Sequence, residues 1–98
     1  MNAPLKFYGL ESDRLATMLK AIAHPVRLEI IQTLSEGSDA NCCVDFTRHA
    51  SLAQSTMSQH LRVLKDAGLI QWCGEGPRSG YCINREAMIW LKQQMVAL

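Results

Sequence analysis

One stretch limits the folds open to this chain more than any other: Ala53-Gln-Ser-Thr-Met-Ser-Gln-His-Leu-Arg-Val-Leu-Lys-Asp-Ala-Gly68. Met57, Leu61 and Leu64 recur at i, i+4 and i+7, the spacing that sets three apolar side chains on one stripe of a helix. Gly68 then offers a C-cap. Gln54, Ser55, Thr56, Ser58, Gln59 and Arg62 fall away from the stripe, mostly in the first two turns. A face selected only for solubility carries more Lys and Glu than this. Amides and hydroxyls near a helix N-terminus, followed by Arg, match the base edges and phosphates of a DNA major groove. The plainer account is a solvated face that happens to be uncharged.

The flanking sequence favours the first account. Upstream, a short helix is predicted over Cys42–Ala50, with Asn41 as N-cap and Asp45 where its charge suits the helix dipole. Cys43, Phe46 and Ala50 form its inward face, and Ser51-Leu52-Ala53 is a three-residue turn. Two short helices so joined make a helix-turn-helix whose second member is the recognition helix. Downstream, Leu69–Cys73 and Tyr81–Ile83 are strand-like around a glycine-rich loop, Gly74–Gly80, which makes a β-hairpin, or wing, with Arg78 at its tip.

Two helices precede this unit and one follows. The first is predicted over Glu11–Ala23, capped by Ser12 or Asp13, with Leu15, Met18, Leu19 and Ile22 as its stripe. His24-Pro25 interrupts it, and Pro25 suits the first position of a second helix reaching Glu36. That helix is apolar nearly all round, as expected of a central buried one. The last starts after Asn84, a good N-cap, and its Ala87, Met88, Trp90, Leu91, Met95 and Leu98 make it too apolar to stand alone in water. The order is α-α-α-α-β-β-α: a mainly α chain with a small β-hairpin, that is, a winged helix-turn-helix.

Ninety-eight residues fit one domain, 1–98, and an apolar fraction of 48% suggests that part of the surface is buried against a second copy. The net charge of +1 decides nothing about nucleic acid, which needs a local patch. Between Gln54 and Arg85 four basic residues (Arg62, Lys65, Arg78, Arg85) face two acidic ones (Asp66, Glu75), an excess that a dimer doubles. No apolar run approaches a membrane span and the N-terminus lacks a signal-peptide core, so the expected location is cytoplasmic, away from membranes, with thiols reduced by default.

Three segments together carry a resemblance: Leu19-Lys-Ala-Ile-Ala-His-Pro-Val-Arg-Leu28, Gln54-Ser-Thr-Met-Ser-Gln-His-Leu-Arg-Val-Leu-Lys-Asp-Ala-Gly-Leu-Ile70 and Tyr81-Cys-Ile-Asn84. From about Leu15 to Leu91 the chain resembles the ArsR/SmtB family of bacterial winged-helix repressors. The resemblance implies a homodimer built on the first and last helices, with two recognition helices in successive major grooves of double-stranded DNA. It also implies repression relieved when a ligand, metal or oxidant is sensed. Ser51 and Ala53 stand where family members often have Gly and Ser. Of the family's Cys-x-Cys-x-x-Cys metal site only Cys42 is matched, with Val44 and Thr47 at the other positions. The alternative site on the last helix needs Asp and His, which this helix lacks.

The adjacent thiols Cys42 and Cys43 suit a thiophilic metal or metalloid if a third donor comes near. Against this, neighbouring helical residues point about 100° apart, and Cys43 also fits an ordinary core position. Cys73 and Cys82 flank the wing as two ordinary strand cysteines or, alternatively, as a redox pair able to form a reversible disulfide. His60 follows the DNA-facing turns and is a candidate phosphate contact or an internal hydrogen-bonding residue; His24 reads as a cap or packing residue. No catalytic triad, phosphate loop or paired carboxylate is present, so no enzymatic activity is expected. The leading reading is a dimeric sequence-specific regulator contacting DNA through Gln54, Ser55, Thr56, Ser58, Gln59, His60, Arg62 and Arg78. A winged helix used for protein–protein contact, without DNA binding, is the alternative.

Overall fold

The computed structural model describes residues 10–36, 53–76 and 79–98. The elements there are α1 (Leu10–Ile22), α2 (Pro25–Ser35), α3 (Gln54–Asp66), β1 (Ile70–Cys73), β2 (Gly80–Ile83) and α4 (Arg85–Val96). The helix expected over 42–50, with Cys42 and Cys43, lies outside the described residues, as does Arg78.

Pro25 explains the break between the first two helices. It drives His24 into extended backbone (φ −152°, ψ 133°) and itself occupies the first turn of α2, where its missing N–H costs nothing. The His24 Nδ1 accepts a hydrogen bond from the Val26 N–H at 3.2 Å, so His24 is a cap, as its position suggests. Ser12 and Asp13 are not caps. α1 is already helical at Leu10, which leaves them inside the first turn, where Asp13 complements the dipole.

The core gathers where the helices meet. Met18 and Ala21 of α1, Ile30, Ile31 and Leu34 of α2, and the α3 stripe Met57, Leu61 and Leu64 pack with Leu69, Ile70, Ile83, Ala87 and Leu91. No polar side chain is buried among the described residues. α2 is less enclosed than its composition suggests: Leu28 is 43% exposed. Ile30, Ile31 and Leu34 are buried and Val26 packs against the core, so Leu28 is the apolar side chain of α2 that faces outward.

α3 ends in a Schellman motif. The Leu69 N–H reaches the Leu64 carbonyl (3.0 Å) and the Gly68 N–H the Lys65 carbonyl (2.9 Å). Gly68 takes φ +81°, which only glycine adopts at little cost. Leu64 and Leu69, the two apolar residues that close such a motif, are fully buried. The chain therefore turns from α3 into β1 along a fixed path. β1 and β2 pair antiparallel, with Ile70 opposite Ile83, Gln71 opposite Cys82, Trp72 opposite Tyr81 and Cys73 opposite Gly80.

Candidate nucleic-acid interface

α3 presents its two faces as the residue spacing requires. At about 100° per residue, Ser55, Gln59 and Arg62 form a ridge opposite Met57, Leu61 and Leu64, with Ser58 along its side. Thr56 lies on its flank, and Gln54, seven residues before Leu61, stands in line with the apolar stripe at the exposed start of the helix. All six of these polar residues are exposed. The N-cap Ala53 makes no side-chain hydrogen bond to the first turn, unlike His24 before α2 and Asn84 before α4. Among the described residues, no side chain therefore caps the first turn of α3, which begins with exposed amides and hydroxyls.

Arg62 is the cation of this ridge. Its Nε lies 3.9 Å from an Asp66 carboxylate oxygen, and both side chains are largely exposed, at 83% and 71%. A solvated pair at that distance is worth little, so Arg62 can exchange Asp66 for a phosphate at small cost. His60 stands apart from the other sequence-derived contacts. Its ring is half-buried, 4.5 Å from that of His24 and tilted 47° to it. Burial, followed by the charges of His24 and Arg27, lowers its pKa from 6.5. His60 thus seats α3 on the start of α2 and is turned away from the exposed ridge.

The wing follows immediately. Trp72 and Tyr81 meet edge to face on one side of the hairpin, centroids 4.9 Å apart. On the other side Cys73 and Cys82 are joined by a disulfide, with Cα atoms 6.2 Å apart. This corrects the simpler expectation of two ordinary strand cysteines. The register puts them diagonally on one face, and Gly80 opposite Cys73 has no side chain to intervene.

One residue that sequence reasoning undervalued ties the wing to the helices. Asn84 caps α4 by accepting from the Ala87 N–H (3.2 Å), and its Nδ2 donates to the Gly68 carbonyl (2.9 Å). Its own N–H donates to the Leu69 carbonyl (2.9 Å). The cap was legible from the sequence; the second role depends on a neighbour brought close only by the hairpin. Arg14 is similar: its guanidinium lies 4.2 Å from the Trp90 ring centroid, a cation–π contact joining α1 to α4.

Among the described residues no group of three or more His, Cys, Asp or Glu could hold a metal ion. No described helix is long and apolar enough to cross a membrane.

Comparisons with known proteins agree with this geometry. A family model described as "Bacterial regulatory protein, arsR family" matches residues 24–71. The HTH-type transcriptional regulator YgaV of Escherichia coli is 39% identical over 79% of this chain and 77% of its own length. An arsenical resistance operon repressor of Staphylococcus xylosus is 33% identical over 83% of this chain and 76% of its own. Among solved structures, the homodimeric winged helix-turn-helix DNA-binding domain of a possible ArsR-family regulator from Mycobacterium bovis superposes with a TM-score of 0.65. It shares 28% identity and covers 99% of this chain and 90% of that one. These relatives are regulators and repressors, and none favours the protein-contact alternative. The chain belongs to the ArsR family of bacterial regulatory proteins, transcriptional regulators that bind DNA through a winged helix-turn-helix.

Proposed function

We propose that the chain is a homodimeric, sequence-specific repressor that lays α3 in the major groove. Ser55, Ser58, Gln59 and Arg62 read base edges and adjacent phosphates, Gln54 and Thr56 assist from the start of the helix, and Arg78 of the wing contacts the backbone. The observation that carries this reading is the uncharged hydrogen-bonding ridge opposite the buried stripe of α3. A face made of planar amides and short hydroxyls discriminates bases, whereas a face of lysines binds any duplex. Residues 1–98 act as one domain, and α1 and α4 supply the dimer interface. That assignment is supported by the solvent exposure of Ile89, Met95, Val96 and Leu98 and by the homodimeric M. bovis relative. The protein works in the cytoplasm and catalyses no reaction.

Release from DNA follows an effector. For the S. xylosus relative the name specifies arsenical resistance. In this chain the corresponding chemistry is a thiophilic metal or metalloid at Cys42 and Cys43, with a further donor. A Cys42→Ser, Cys43→Ser protein that still left DNA on adding arsenite would remove that assignment.

The decisive test is fluorescence anisotropy on a duplex from the region upstream of the protein's own gene, beside a scrambled duplex of equal length. Gln59→Ala is expected to reduce discrimination between the two by about 1–3 kcal/mol. Unchanged discrimination would take Gln59 out of the groove. Arg78→Ala is expected to weaken both duplexes alike and to lower the salt slope by about 1.

A further inference from the structure

The wing is a two-stranded ribbon with no third strand among the described residues. Ribbons of two strands are marginal by themselves, so their order depends on side-chain ties. Here one face carries the Trp72–Tyr81 pair and the other the Cys73–Cys82 bridge. We propose that this bridge is a reversible thiol–disulfide site that sets the affinity of the reading unit for DNA, exchanging with low-molecular-weight disulfides such as glutathione disulfide. The proposal rests on the DNA-reading role of α3.

Three features carry it. The Cα separation of 6.2 Å lies within the range that a disulfide spans, so the strand register already brings the two cysteines within bridging distance. The two sulfurs differ in access: Cys82 is 4% exposed, whereas Cys73 is half-buried at the open end of β1, beside the glycine-rich loop. Finally, the ribbon leaves α3 through Gly68 and enters α4 through Asn84, so its order is shared with the reading helix.

The exchange balances without other reactants. The Cys73 thiolate attacks one sulfur of glutathione disulfide, forming a mixed disulfide and expelling one glutathione thiolate. The Cys82 thiolate then attacks the Cys73 Sγ, closing the bridge and expelling the second. Two protein thiols are oxidised, one glutathione disulfide is reduced to two glutathiones, and the two protons pass from the cysteines to the leaving thiolates. Reduction runs the same path in reverse, entering at Cys73 because it is the accessible sulfur. The bridged hairpin is the tighter-binding state, since the reduced one must be ordered on DNA.

The test equilibrates the full chain in glutathione buffers of stepped composition. The Cys73–Cys82 pair is quantified by alkylation and mass spectrometry, and affinity is measured in each buffer for the upstream and scrambled duplexes. Expected are a bridge that forms and opens across the series and an upstream-duplex affinity that rises roughly three- to tenfold with it. Cys73→Ser, at the half-exposed position, and Cys82→Ala, the conservative change at the buried one, are each expected to abolish the response. Cys42→Ser, Cys43→Ser is expected to keep it. A pair that stays reduced, a response that survives Cys73→Ser, or selective binding indifferent to the buffer each overturns the proposal alone. Equal binding to both duplexes in every buffer overturns the DNA-reading assignment and the proposal with it.

Discussion

His60 shows how one residue can link the seat of the reading helix to pH. Its ring meets that of His24, with Arg27 near enough to add its charge, and burial together with these neighbours disfavours the imidazolium. Because the folded pKa lies below the ordinary 6.5, the unfolded chain binds more protons between those two values. Stability from this group is therefore complete above 6.5 and is lost as pH falls through the lower folded value. Urea unfolding at stepped pH is expected to show the loss, and His60→Gln to make the slope shallower; an unchanged slope would assign it to other groups. At Leu64, fully buried beneath the ridge, truncation to Ala is expected to cost about 2–5 kcal/mol. A loss below 1 kcal/mol would mean that the stripe is not the anchor of α3.

At the scale of elements, the two ends of α3 are built oppositely. Ala53 leaves the N-terminus without a side-chain cap, so Ala53→Ser is expected to stabilise the protein by about 0.5–2 kcal/mol in urea. At the other end Gly68 sits at φ +81°, and Gly68→Ala is expected to destabilise by about 1–2 kcal/mol although nothing lies within 4 Å of the added methyl. The cost arises in the backbone. Both ends, the Met57–Leu61–Leu64 stripe and the Asn84 cap were legible in the sequence, because each depends on residues within one or two turns. What was not legible depends on register. A slip of one residue in the hairpin would put Cys73 and Cys82 on opposite faces, and no local pattern reveals which register forms. The donation from Asn84 to Gly68, sixteen positions away, has the same origin. The Ser12 and Asp13 caps failed for a simpler reason: residues that favour a cap also favour the first turn, and the start of α1 lay further upstream.

At the scale of the molecule, α4 holds Ala87 and Leu91 in the core while leaving Ile89 and Val96, seven residues apart, on an outward stripe. Under the proposed dimer, Ile89→Glu keeps the monomer fold, since Ile89 is 56% exposed, but shifts the assembly toward monomer. Sedimentation velocity is expected to show that shift, with a melting temperature that depends less on concentration than in the parent. A dimer that persists unchanged would place the interface elsewhere.

The near neutrality of the α3 ridge also bears on how many copies of such a regulator a cell must make. Any DNA-binding protein is diluted among about 10⁶–10⁹ competing genomic sites, and what holds it on random sequence is almost entirely charge released from phosphates. A ridge whose first two turns carry no cation, with only Arg62 and Lys65 beyond them, in a chain of net charge +1, forfeits much of that indiscriminate hold. Under the proposed reading of DNA by this ridge, its population is less trapped in transit, and fewer molecules are needed to keep one operator occupied.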